Sequence, residues 1–128
     1  MPSIFDHVTL GICDIQKARQ FYNHVMPALG LPLLWENATM LTYGVKDGED
    51  FGLQLDESSA RHGTHVAFRA ADRASVDRFY ARALEAGGVD AGPPGLRPEY
   101  SATYYAAFVT DPDGNRLEAV CHKDPAAT

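Results

Sequence analysis

The chain nearly repeats itself. Sliding it by 58 positions lays residues 7–31 on residues 65–89 without a gap, matching His7 to His65, Val8 to Val66, Asp14 to Asp72 and Phe21-Tyr22 to Phe79-Tyr80. Ala28 and Gly30 then fall on Ala86 and Gly88. Towards the end of each half an offset of 64 lays Leu53-Gln54 on Leu117-Glu118, which gives the second copy six extra residues. A repeat of about sixty residues is one supersecondary unit, and a chain of 128 holds two of them and no further domain. The expectation is one domain over 1–128, with modules at about 4–57 and 64–122.

Periodicity gives the content of each module. Residues 5–13 and 64–70 are short, alternate in polarity and are rich in β-branched and aromatic residues, which predicts strands. Asp14 and Asp72 follow as helix caps. Ile15, Ala18, Phe21, Tyr22, Val25, Met26 and Leu29 then recur at helical spacing up to Gly30, and Val76, Phe79, Tyr80, Ala83 and Leu84 do so up to Gly87-Gly88. Strand patterning returns at 32–37, 40–45 and 51–56, and again at 89–91, 103–110 and 115–122. Asp47-Gly48 and Asp113-Gly114 supply turn chemistry between the last two strands of each half. The predicted unit is β-α-β-β-β, used twice, in the α+β class. The stretch from Gly92 to Thr103, with three prolines, is expected to be a semi-rigid loop rather than a strand, and the best candidate for a substrate lid.

Successive strand residues face opposite sides of a sheet, so the parities can be scored separately. Val8, Leu10 and Ile12 are apolar against His7, Thr9, Gly11 and Cys13, and Val66 and Phe68 oppose His65, Ala67 and Arg69. In the closing strands, Phe51, Leu53 and Leu55 oppose Gly52, Gln54 and Asp56, while Leu117, Ala119 and Cys121 oppose Arg116, Glu118, Val120 and His122. The apolar parity must dock the helices. The other parity carries His7, Gln54, His65 and Glu118 at positions that the repeat matches. Two imidazoles, a carboxylate and an amide oxygen suit a divalent ion such as Zn, Ni, Mn or Fe(II), with Gln54 the weakest donor. Such a set leaves open positions for a chelating substrate, which Lewis-acid catalysis needs. Arg97 and Tyr100 are able to orient an anionic or phenolic group. Trp35, Tyr43, Tyr104 and Tyr105 are candidate cleft walls, and Tyr105 joins Arg97 and Tyr100 in the predicted substrate-binding set.

Charge and hydropathy exclude several partners. With 17 Asp+Glu against 11 Lys+Arg and a net charge of -6, the chain lacks the clustered cations that phosphate neutralisation demands, so no nucleic acid and no membrane surface are expected. No apolar run is long enough to span a bilayer, and the start lacks a basic segment leading into an apolar one, which makes the cytoplasm the expected location. Cys13 and Cys121 show no metal or redox spacing and are expected to be reduced thiols.

The opening DHVTL strand, the later THVAF strand and the closing DPDGNRLEAV segment, set in twice-repeated β-α-β-β-β, resemble the vicinal oxygen chelate superfamily. The likeness covers residues 4–122. It implies a U-shaped mixed sheet around a cleft, helices on the outer face, and modules that pair within one chain or between the chains of a homodimer. It also implies a metal held by His7, Gln54, His65 and Glu118, and a small substrate chelated through neighbouring oxygens. In glyoxalase-like members this implies lyase or isomerase chemistry through an enediolate or oxyanion, with Glu118 moving the proton as the catalytic residue. Bacterial glyoxalases carry a carboxylate where this chain has Gln54 and an arginine where it has Gly11. A fosfomycin-resistance thiol transferase would use His7, His65 and Glu118, with Thr9 at the substrate. An extradiol dioxygenase would put Fe(II) on the same three residues, and a bleomycin-resistance type protein would bind a drug or metabolite without catalysis.

Overall fold

Alternation decides which face of each strand is wet. In β1 (His7–Ile12), Leu10 and Ile12 are buried while His7 and Thr9 are exposed, and in β5 (His65–Arg69) Phe68 is buried while His65, Ala67 and Arg69 are exposed. The computed structural model describes residues 5–46, 48–56 and 64–125, so Asp47 of the first predicted turn lies outside the described residues. β1 is followed by α1 (Ile15–Val25), β2 (Leu33–Glu36), β3 (Met40–Gly44) and β4 (Asp50–Leu55). β5 is followed by α2 (Arg73–Glu85), β6 (Val89–Leu96), β7 (Tyr105–Thr110) and β8 (Arg116–Cys121). Each module closes a four-stranded sheet, in the orders β1-β4-β3-β2 and β5-β8-β7-β6. β1 and β4 run parallel, as do β5 and β8, and the other neighbours run antiparallel. The predicted α+β unit is thus present twice, as two mixed sheets with one helix each.

Both helices start where the capping aspartates put them. Asp14 accepts the backbone N–H groups of Gln16 and Lys17, and Asp72 accepts that of Ser75, so donors that no helical carbonyl can reach are satisfied. α1 buries Ala18, Phe21, Tyr22 and Val25. Pro27 has no N–H for the next helical bond, and the chain tightens into a 3-10 turn over Met26–Leu29. Gly30 ends it in the left-handed conformation, at φ 77°.

A single apolar cluster joins the two modules. It takes Leu10 and Ile12 from β1, Leu53 from β4, Phe68 from β5, Phe21 from α1, Phe79 from α2 and Leu117 from β8. Phe51 and Phe68 meet edge to face across the module boundary with ring centroids 4.9 Å apart. Since the apolar parity of both sheets enters this shared core, the polar parity of each sheet must face away from it. The DPDGN turn adds a polar clasp. Asp111 accepts the Tyr22 hydroxyl, Asp113 accepts the Cys13 N–H, and Asn115 donates to the Gly11 carbonyl. Those three bonds tie the β7–β8 turn to the β1–α1 segment of the other module.

Two details differ from the sequence expectation. β6 does not give way to a loop at Gly92 but runs through Pro93-Pro94 to Leu96, pairing Gly95 with Ala106 and Leu96 with Tyr105 after two irregularities in register. It is an edge strand, and a proline there needs no ladder partner on its outer side. The strand registers also shift the internal repeat. His7 stands beside Asp50 and His65 beside Arg116, so the closing strands correspond at an offset of 66 rather than 64. The second module therefore has eight extra residues, and since the helices and first strands keep the offset of 58, all of them enter between α2 and β7.

Candidate functional site

On the wet face of the second sheet, β5 and β8 bring His65 and Glu118 together, with Nε2 lying 2.8 Å from Oε1. Parallel pairing sets Ala67 beside Glu118, so the carboxylate and the imidazole two residues earlier on β5 share one side. Glu118 is only 3% exposed, whereas the His65 side chain is 43% exposed. The second carboxylate oxygen accepts the Tyr104 hydroxyl. Burial pushes the Tyr104 phenol up to about 12, and its hydrogen bond to Glu118 adds to the shift. Phe108, registered beside Glu118 on β7, stands edge-on to His65 at 6.1 Å between centroids. Arg97 lies over the Phe108 ring at 5.4 Å and donates to the Pro93 carbonyl at 2.7 Å.

The first sheet carries a sparser counterpart. His7 Nδ1 lies 2.8 Å from the Asp6 carboxylate, which leaves Nε2 as the available nitrogen. The imidazole is 63% exposed. Thr9 stands beside Gly52, and Gly11 beside Gln54. A hollow of about 510 Å³ on this face is lined by Thr9, Leu10, Gly11, Gln54, Leu55 and Asp56.

One chain therefore unites His65 with Glu118 and leaves His7 and Gln54 on the other sheet. Among the described residues, no three His, Cys, Asp or Glu side chains gather in a way that could hold a metal ion. The register also changes which residue of the first sheet matches Glu118. Glu118 sits beside Ala67 and Gly52 beside Thr9, so the counterpart of Glu118 is Gly52, and Gln54 corresponds to Val120. The Leu-Gln and Leu-Glu pairs attract a sequence alignment that strand pairing overrules.

Two aromatic assignments change as well. Tyr105 shares its parity with Ala107 and Val109, packs against the core, and donates to Asp77 on α2 at 2.6 Å. Its hydroxyl thus serves the helix side of the sheet and not the wet face. Tyr43 is fully buried and donates to Asn23, whereas Trp35, half-exposed on the edge strand β2, pairs with Thr42 on the parity of Gly52 and Thr9, the wet face. Arg97 and Tyr100 do belong to the neighbourhood of Glu118, Arg97 through Phe108 and Tyr100 through an edge contact with Tyr104 at 5.0 Å. Phe108 was invisible as a site residue, although its distance of ten positions from Glu118 across a tight turn is the signal that would have found it.

The donor set fits a divalent ion in part. An imidazole nitrogen and a carboxylate oxygen converge beside an open surface, and a further nitrogen of the same kind waits on the other sheet. The wet faces also differ in charge. Arg116 stands beside His65 and Arg69 ends β5 on the same parity, while Asp50 stands beside His7.

A family model described as the Glyoxalase/Bleomycin resistance protein/Dioxygenase superfamily matches residues 4–119. The chain is 30% identical over 114 residues to a protein of Shouchella clausii named metallothiol transferase FosB, a match covering 88% of this chain and 76% of that protein. It is also 30% identical over 139 aligned positions to a probable lactoylglutathione lyase of Vibrio cholerae, covering 94% and 92%. Among solved structures, a glyoxalase/bleomycin resistance protein from Albidiferax ferrireducens superposes with a TM-score of 0.84 at 30% identity, covering 93% of this chain and 99% of that one.

Proposed function

The chain belongs to the glyoxalase/bleomycin resistance protein/dioxygenase superfamily, and on that premise we propose that it is a metal-dependent enzyme of the glyoxalase type acting on a small oxygen-chelating substrate. The observation that carries this reading is the contact of His65 with the buried Glu118, matched by a repeat-equivalent His7 on a sheet whose counterpart of Glu118 is Gly52. The site then closes between two copies of the chain, His7 coming from one and His65 and Glu118 from the other. The charges of the two wet faces favour that meeting, Arg69 and Arg116 on one side and Asp50 on the other.

A bound divalent ion, Zn, Ni, Mn or Fe(II), supplies Lewis-acid polarisation of the substrate oxygens. The protein supplies the rest. Glu118 takes a proton from the substrate carbon and returns it to the neighbouring one, and its burial keeps bulk water from competing for that proton. Arg97, seated on Phe108, orients an anionic substituent. Thr9, two residues past His7, places a hydroxyl on the opposite wall. Gln54 is left to contact substrate rather than the ion.

A second reading is thiol transfer. Gly52 in the place of a fourth donor leaves His7, His65 and Glu118 as the whole protein ligand set, and the relative named FosB is one of the 30% identical matches. In that reading Glu118 is a ligand and moves no proton. Metal analysis of the purified protein, followed by assays of the Zn, Ni, Mn and Fe(II) forms on hemithioacetals and on fosfomycin with a thiol, separates the possibilities. Isomerisation of a hemithioacetal supports the leading reading, and thiol addition the second. Failure to bind any of the four metals removes both and leaves a non-catalytic binding protein.

A further inference from the structure

The eight extra residues of the second module lead directly to Tyr104. The Arg97 N–H donates to the Tyr104 carbonyl at 2.7 Å, and turns at Tyr100 and Ser101 fold the intervening segment into a short loop. That neck fixes the Tyr104 backbone. Its ring is held edge to face by Tyr100 at 5.0 Å and by His122 at 5.2 Å. The phenol has one proton to give, and it goes to Oε2 of Glu118, while Oε1 of the same carboxylate faces His65. The first module has no such loop, and its counterpart of Glu118 is a glycine. The hydroxyl that the second module adds lands on the one buried carboxylate of the candidate site.

We propose that Tyr104 is a positioning residue, whose hydroxyl holds Oε2 of Glu118 so that Oε1 alone is presented beside His65. The proposal rests on the reading of His65 and Glu118 as metal ligands, and extends it by making the carboxylate a one-oxygen donor. A carboxylate has two equivalent oxygens and rotates freely about its last bond. With one oxygen engaged, turning the carboxylate costs that hydrogen bond, which disfavours entry of the second oxygen into the coordination shell. A partner of this kind, outside the ligand set, typically governs metal affinity by about 10- to 100-fold. Tyr100 and His122 act through Tyr104, as supports for its ring.

Tyr104→Phe keeps the ring and removes only the hydroxyl. A crystal structure of the metal-free variant should show the Glu118 carboxylate turned, with Oε1 beyond hydrogen-bonding distance of His65 Nε2. Calorimetric titration with Co(II) should show affinity about 10-fold weaker than wild type. The visible absorption of the Co(II) form should lose intensity as the freed carboxylate offers both oxygens. Tyr100→Phe, which keeps the ring contact, should match wild type in all three measurements. An unchanged His65–Glu118 contact in the metal-free variant, or an unchanged affinity when wild type does bind Co(II), overturns the proposal. A wild-type protein that binds no Co(II) instead removes the metal reading, and the metal-free structures still decide whether Tyr104 positions Glu118.

Discussion

The Tyr22 hydroxyl donates to Oδ2 of Asp111 at 2.5 Å, joining α1 of the first module to the turn that leads into β8 of the second. Burial raises the Asp111 carboxyl above its ordinary value, and the bonds from Tyr22 and Asn115 pull it part of the way back. An acid raised in this way contributes stability at low pH and loses it as pH climbs through its folded-state pKa. Tyr22→Phe removes a donor and raises Asp111 further. Urea unfolding should show a loss of about 1–3 kcal/mol at pH 7 and a smaller loss at about pH 3, where the carboxyl is protonated in both proteins. Equal losses at the two pH values would refute this account of the clasp.

Asp72 has the opposite sign. Its bonds from Ser75 hold the carboxyl below its ordinary value, so it contributes stability above the unfolded-state pKa and loses it as pH falls through the folded one. Asp72→Ala should lower Tm at pH 7, and thermal scans should show the difference shrinking below about pH 3. A difference that persists in acid would mean that the cap acts through something other than the ionised carboxylate.

The strand register sets Gln54 apart from the proposed metal ligands, His7, His65 and Glu118. In calorimetric metal titrations Gln54→Ala should stay within about threefold of wild type, whereas His65→Ala and Glu118→Gln should each weaken binding at least about 100-fold. A collapse of affinity in Gln54→Ala would restore the four-residue ligand set.

If each site draws His7 from one copy and Glu118 from another, two inactive variants should rescue each other. His7→Ala and Glu118→Gln, refolded together, should form mixed dimers with one intact site each, recovering about a quarter of wild-type metal binding or turnover per chain. Refolded separately, neither should recover any. No rescue on mixing would place the whole site within a single chain or abolish the shared-site reading.

The repeat, the two strand parities and both helix caps were legible in the sequence because each depends on contacts within a few residues. Val8, Leu10 and Ile12 had to face the helices whatever lay beyond, and Asp14 and Asp72 found their donors one turn away. Register was not legible. A pair of leucines followed by Gln54 and Glu118 aligns well as text, while the ladder between β1 and β4 is set by pairing partners that lie some forty residues apart. Neighbouring Tyr104 and Tyr105 could not be assigned for a related reason. The boundary between loop and strand falls between them and decides which one faces Glu118. The prolines of β6 misled because a lone segment cannot reveal that it will be an edge.

The aligned glycines give the same lesson in a testable form. Gly30 is needed for its positive φ and has open space around it, whereas a Cβ on Gly88 would meet Ala83 O and Phe21 Cε1 at 2.8 Å. Gly88→Ala must displace a backbone carbonyl and a core ring, and should cost roughly 1–3 kcal/mol in denaturant unfolding, more than Gly30→Ala at about 1 kcal/mol. A reversed order would mean that the approach of α2 to Phe21 yields easily.

The hydrogen bond between the Arg97 N–H and the Tyr104 carbonyl closes the loop at its base, so the residues between them hang from the sheet by a single rung. Such a segment is an exchangeable cassette. A duplicated ancestor could grow, trim or replace it without moving a residue of the shared core. New substrates in descendants of this chain are then expected to arise through changes in that one hairpin tip, leaving the histidines and the glutamate as inherited.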